Sequence, residues 1–348
     1  MSNSNTYLYI ANRESREIMV FRLDADNGDL TLIQQARVNG AIMPMAVSPD
    51  RRTLYAALRN EPYAVASFRI DASSGMLKHL ADTPVPDSMP YISTDRSGRY
   101  LFGVSNPKSR TKPRKSVMCV CPLDAEGVAQ APQQVVPARE KAHAVLAAAS
   151  NRHVFASSCD GDVMLRWDFD ASKGTVSAEF TIAATVKAGG GPRHFVFHPN
   201  QRFMYLVNEY DGTLCTYAHD DTSGALREIQ VSQIVERDPG GKSVRGADIH
   251  FTPDGGLLYA SERYSDTLAA FRVDAASGLL TPLGNFATEK EPRGFNIDPQ
   301  GRFLFATGLM SNSLTTYAID RASGNLTTLR KHAMSGDPNW IEIVTLPQ

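Results

Sequence analysis

The chain has 348 residues, 42% of them hydrophobic and 21% charged, ordinary proportions for a soluble globular protein. A formal net charge of −1 gives no global field for nucleic acid or an anionic membrane surface, and no apolar run approaches a membrane span. The N-terminal residues lack the basic and apolar regions of a secretory signal, and Cys119, Cys121, Cys159 and Cys215 show no C-x-x-C spacing, so a cytoplasmic protein with reduced thiols is expected.

From the N-terminus, Tyr7-Leu-Tyr-Ile-Ala11 reads as a short strand, and a phrase that will recur follows at Phe21-Arg-Leu-Asp24. It consists of an aromatic residue, a spacer, an apolar residue, usually Asp, then a polar stretch with Gly. Copies stand at Phe68-Arg-Ile-Asp71, Trp167-Asp-Phe-Asp170, Phe271-Arg-Val-Asp274 and Tyr317-Ala-Ile-Asp320, with degraded copies in register at Cys121 and Tyr217. The intervals run from 46 to 54 residues. A second ladder, an apolar-aromatic pair ending at Tyr9, Tyr55, Phe102, Phe155, Tyr205, Tyr259 and Phe305, keeps almost the same beat. Two ladders in phase, with β-rich units near this period, predict a propeller.

Residues 247–285 show the unit. Asp248 to Thr252 reads as a first strand and Pro253-Asp254-Gly255-Gly256 as a tight turn. Leu257 to Ser261 is a second strand and Thr267 to Asp274 a third with alternating faces; Ala275-Ala-Ser-Gly278 turns the chain into an outer strand, Leu279 to Leu283. At the C-terminal end, Trp340-Ile-Glu-Ile-Val344 has the character of a first strand, whereas Tyr7 to Ala11 has that of a second. One blade built from both ends would remove the open edge of the ring. The expectation is all-β: a seven-bladed β-propeller, four antiparallel strands per blade, forming a single domain over 1–348.

In such a ring the start of each first strand and the end of each second strand open on one face. The second-strand ends carry Arg13, Arg59, Asn106, Cys159, Glu209, Arg263 and Leu309; the first-strand starts carry Met43, Pro90, His143, Arg193, Ala247 and Arg293, followed by His194 and Asp248. Clustered guanidinium groups suit a carboxylate or phosphate, and a histidine beside a carboxylate suits acid–base work near neutral pH. The ligand expected is a small anion. Gly189-Gly-Gly191 precedes a strand rather than a helix, no G-x-S-x-G occurs, and no compact His/Asp/Glu spacing marks a metal site, so no cofactor and no metal are expected.

These residues sit in the phrases Gly191-Pro-Arg-His-Phe-Val-Phe-His-Pro199, Val207-Asn-Glu209, Ala247-Asp-Ile-His-Phe-Thr-Pro-Asp254, Pro292-Arg-Gly-Phe-Asn-Ile-Asp298 and Ser48-Pro-Asp50. In them the chain resembles the bacterial lactonase family of seven-bladed propellers, typified by the propeller-type 6-phosphogluconolactonase; fungal carboxymuconate-lactonizing enzymes are similar. The resemblance implies a catalytic set of His143, Arg193, Glu209 and Arg263. Two departures stand out. Lys141-Ala-His143, followed by Ala149-Ser-Asn-Arg152, replaces the family's Cys-His and Pro-Asp-Gly turn, and a basic insertion, Pro107-Lys-Ser-Arg-Thr-Lys-Pro-Arg-Lys115, follows Asn106.

The function expected is hydrolysis of a small anionic sugar lactone without a metal. His143, oriented or assisted by Glu209, would activate water, Arg193 and Arg263 would complete the catalytic set, and His194, Asp248 and Arg293 would bind substrate. Two other readings stay open on the residues alone. One is a muconate-type lactonizing or isomerising enzyme; the other is a non-catalytic propeller that binds protein partners. Neither nucleic acid nor membrane is an expected partner.

Overall fold

Each repeat folds into a small antiparallel sheet whose four strands differ in burial because they differ in distance from the axis. The computed structural model describes residues 5–107, 115–235 and 243–347. In the unit read above the strands are Gly246–Phe251, Leu257–Glu262, Thr267–Val273 and Leu280–Ala287, paired in that order. Leu257–Glu262 is buried at every position, because neighbouring blades cover both of its faces; its apolar residues are accordingly continuous rather than alternating. Leu280–Ala287, the outer edge, exposes Thr281, Pro282 and Ala287. The Asp of the recurring phrase builds the turn before that edge. Asp274 accepts the Gly278 N–H on its carbonyl at 2.7 Å and the Ala276 and Ser277 N–H groups on its carboxylate.

The two ladders are the two sides of one contact. The phrase aromatics lie on the third strands, each opposite the residue preceding a second-ladder aromatic: Leu8 faces Phe21, Met204 faces Tyr217, and Leu258 faces Phe271. Every member of the second ladder, from Tyr9 to Phe305, is fully buried. Where it is tyrosine, its hydroxyl reaches the next blade: Tyr9 donates to the Gly75 carbonyl, Tyr55 to Gly127, Tyr205 to Gly278 and Tyr259 to Gly324, at 2.7–2.9 Å. These glycines are the ones in the recurring phrase. Gly278 has φ +77°, and a Cβ there would lie 2.4 Å from the Phe203 ring, so both backbone and neighbour require glycine.

The ring closes as the sequence predicts. Pro338–Thr345 pairs with Thr6–Asn12, giving a sheet of four strands in the order Pro338–Thr345, Thr6–Asn12, Glu17–Leu23, Leu30–Arg37. First strands contact first strands from blade to blade around the axis. Blade four departs from the plan. Its outer edge is split into Thr175–Val176 and Thr181–Thr185, with Phe180 turned in against the Trp167 ring between them, so that sheet has five strands. Most of the basic insertion, residues 108–114, lies outside the described residues.

Pairing between first and second strands is interrupted near the axis. The register shifts between Ile42 and Met45, Ala142 and Val145, Pro192 and His194, Gly246 and Ile249, and Pro292 and Gly294. The residues left out of the ladder include Met43, His143, Arg193, Asp248 and Arg293. A bulge frees a residue from regular pairing and re-aims its side chain. Here the same irregularity, repeated from blade to blade, supplies the axial residues.

Candidate active site

Met43, Pro90, His143, Arg193, His194, Arg293, Asn339 and Trp340 line a narrow cleft at the axis. All but the last two belong to the first-strand positions enumerated from sequence. Asn339 holds the matching place in the blade built from both ends, where a count along the chain runs out. A larger groove, bordered by Ser150, Asp168, Asp170 and Ser177, lies beside the turns of blade four and gathers no comparable cluster.

Glu209 is the centre of a cationic group. Arg263 Nη2 lies 3.1 Å from one of its oxygens and Arg245 Nε 3.2 Å from the same one; Arg193 Nε stands 3.5 Å and Lys141 Nζ 3.6 Å from the other. Burial alone would raise Glu209, but Arg193, Arg263 and Lys141 hold it well below the usual carboxylate range. The expected pairing of Glu209 with His143 is not formed. The four cations occupy the carboxylate, and His143 Nδ1 is buried with no hydrogen-bond partner among the described residues. Burial, followed by the fields of Arg193, His194, Arg293 and Arg59, pushes His143 well below the ordinary histidine value.

Arg293 has no hydrogen bond or ion pair among the described residues. Burial and the guanidinium groups of Arg193, Arg263 and Arg59 all oppose its charge, which a guanidinium does not readily give up. Arg59 adds to the same field while donating to Ser88 Oγ at 2.8 Å. The cleft therefore holds more positive charge than Glu209 balances. A small anion would satisfy both the charge and the open donors of Arg293.

A second arrangement involves the residues expected to bind substrate. His194 Nδ1 lies 2.8 Å from Asp248 Oδ1, and His250 Nε2 lies 3.2 Å from Asp248 Oδ2. The Asp248 carboxylate also accepts the Ile249 N–H at 3.0 Å and the Phe295 N–H at 3.3 Å. Burial would raise Asp248, yet His250 and His194 hold it well below the carboxylate range. The His194 ring packs edge-on to Tyr91 and Trp340, with the His143 ring 5.2 Å away.

All seven residues singled out from sequence thus lie near the axis, in two linked groups rather than one. Several others escaped assignment. Arg59 shares its register position with Glu209 and Arg263, so the signal was present without being weighted. Lys141 and Arg245 lie just ahead of first strands and act only through the fold; each also meets a tyrosine, Lys141 over Tyr210 and Arg245 over Tyr264.

The family model described as "Lactonase, 7-bladed beta-propeller" matches residues 7–343. The chain belongs to that lactonase family. A 6-phosphogluconolactonase of Pectobacterium atrosepticum is 37% identical over 293 residues, covering 84% of each chain. Among solved structures, a periplasmic gluconolactonase of Pseudomonas aeruginosa aligns with TM-score 0.87 and 25% identity over 98% of this lactonase and 100% of that chain. A Bacteroides fragilis chain with the same TM-score is 23% identical over 99% of both, a likeness that carries the fold alone.

Proposed function

We propose that this lactonase hydrolyses a phosphorylated sugar lactone of the 6-phosphogluconolactone class. The observation that carries the reading is Arg293, an unpaired cation in a cleft already rich in guanidinium. Arg193, Arg263 and Arg293 hold the anionic substrate, and positive charge at the cleft stabilises the oxyanion formed when water adds to the lactone carbonyl. Glu209, held ionised, is the counter-charge that lets this many cations stand together. A neutral histidine in the cleft takes the proton from water. The name borne by the Pectobacterium relative supports the substrate class. Guanidinium groups gathered about one buried carboxylate at the axis suit a small anion more than a protein segment, which weighs against the interaction-module reading.

We place the protein in the cytoplasm. The four cysteines are buried and free, as suits a reducing compartment.

The test is proton release on adding freshly prepared 6-phosphogluconolactone, followed against the spontaneous rate. Acceleration is the expected result. No acceleration, together with loss of a carboxymuconate's ultraviolet absorbance, would replace hydrolysis by lactonization.

A further inference from the structure

We propose that His194, held by Asp248, is the general base of this lactonase, and that His143 is not. The assignment rests on the hydrolytic reading above and specifies how its water is activated.

The geometry fixes the tautomer of His194. Asp248 is an acceptor toward two backbone N–H groups and lies within hydrogen-bonding distance of two imidazoles, so its carboxylate is committed to accepting. The His194 nitrogen facing it, Nδ1, must therefore carry the hydrogen. The lone pair is left on Nε2, which is buried, has no partner among the described residues, and belongs to a side chain lining the axial cleft. Tyr91 and Trp340 hold the ring edge-on, so its orientation is set before substrate arrives. An acid, an imidazole and an open nitrogen in series follow the logic of hydrolytic triads on unrelated folds.

His143 also lines the cleft with a buried nitrogen that has no partner among the described residues, but it lacks the carboxylate. No carboxylate or carbonyl fixes its tautomer among the described residues, and protonating it would add a charge beside Arg193, Arg293 and Arg59 with nothing to offset it. Charge arriving on His194 is opposed by Arg193 and Arg293 as well, but Asp248 stands 2.8 Å away to balance it. The remaining ionisable groups facing this dyad are Tyr91, His143, His250 and Glu342.

In the first half of the reaction Nε2 takes a proton from water while the water oxygen bonds to the lactone carbonyl carbon, and the carbonyl π pair moves onto oxygen. In the second half the oxyanion collapses and the bond from the acyl carbon to the ring oxygen breaks. The ring oxygen departs with that electron pair and takes the proton from Nε2. The product is the open hydroxy acid, which loses its carboxyl proton to solvent.

The experiment compares wild type, His194→Gln, Asp248→Asn and His143→Gln on 6-phosphogluconolactone, with kcat and KM resolved and the pH dependence of kcat recorded. Binding of the product 6-phosphogluconate by calorimetry serves as the check that each variant folds. His194→Gln is expected to lower kcat by about 10²–10⁴-fold with KM within about threefold. Asp248→Asn acts through positioning. It removes the negative charge that balances a proton on His194, so kcat falls while the acid limb of the kcat profile shifts, which a packing defect would not cause. His143→Gln is expected to retain kcat within about tenfold. If His194→Gln binds product and turns over at the wild-type rate, or if His143→Gln alone abolishes turnover, the assignment is overturned while the lactonase reading stands. Wild type that fails to accelerate hydrolysis overturns both.

Discussion

Under the proposed function, Arg293 stores a binding site as instability. A half-buried guanidinium without a partner among the described residues, surrounded by other guanidinium groups, costs free energy in the free protein, and on that reading an anionic substrate recovers it. Two effects of Arg293→Met should therefore have opposite signs. The free protein gains about 0.5–2 kcal/mol of stability, read as a higher Tm, while KM for the phosphorylated lactone rises about 10–100-fold, the loss of one charge-assisted contact. A variant that lost both stability and affinity would mean that Arg293 is a structural anchor. Individual residues were only partly legible from sequence. The types and register of His143, Arg193, Glu209, Arg263 and Arg293 could be read from the repeat and the family phrases. Their pairings could not, because Glu209 meets Lys141 and Arg245 across blade boundaries that no local pattern encodes.

At the scale of the element, the recurring phrase proves to be a device for docking one blade on the next. The aromatic packs, the Asp folds the turn, and the Gly leaves room for the neighbour while its carbonyl receives the tyrosine hydroxyl. Tyr205→Phe deletes only the bond to the Gly278 carbonyl and should cost about 1 kcal/mol. Gly278→Ala must place a Cβ against Phe203 at positive φ and should cost about 2–4 kcal/mol. Equilibrium urea denaturation of both variants checks the order, and equal losses would contradict it. The strand order was legible because period-2 patterning and turn residues are local. The split edge of blade four was not. It depends on Phe180 turning in to meet Trp167, a contact between side chains that sequence spacing alone does not announce.

For the whole molecule, the axial channel is an ionisable line as well as a binding cleft. Beyond His194 and Asp248, His250 is raised in pKa; burial opposes this, but Asp248 beside it prevails. Burial pushes Glu342 up to about 7, against the Trp340 indole N–H, which it accepts at 2.8 Å, and the field of His250. A folded-state carboxyl raised in this way contributes stability that is full below its unfolded value and is lost as pH rises through the folded one. Between about pH 4.5 and 7, wild type should therefore lose on the order of 1–2 kcal/mol from Glu342, after allowance for water in the channel. Glu342→Gln keeps an acceptor for the indole and removes the titration, so its Tm advantage over wild type should grow from pH 5 to pH 8. A constant difference across that range would show that Glu342 does not titrate there.

The union of Thr6–Asn12 with Pro338–Thr345 also has a consequence in time. Joining strands so distant along the chain carries nearly the full loop-closure entropy and is a late, slow event in folding. Asn339 and Trp340, which complete the wall around His143 and His194, arrive on the strand that closes the ring. Six blades can form before the wall around these two histidines is finished, so binding competence should be the last property the folding chain acquires.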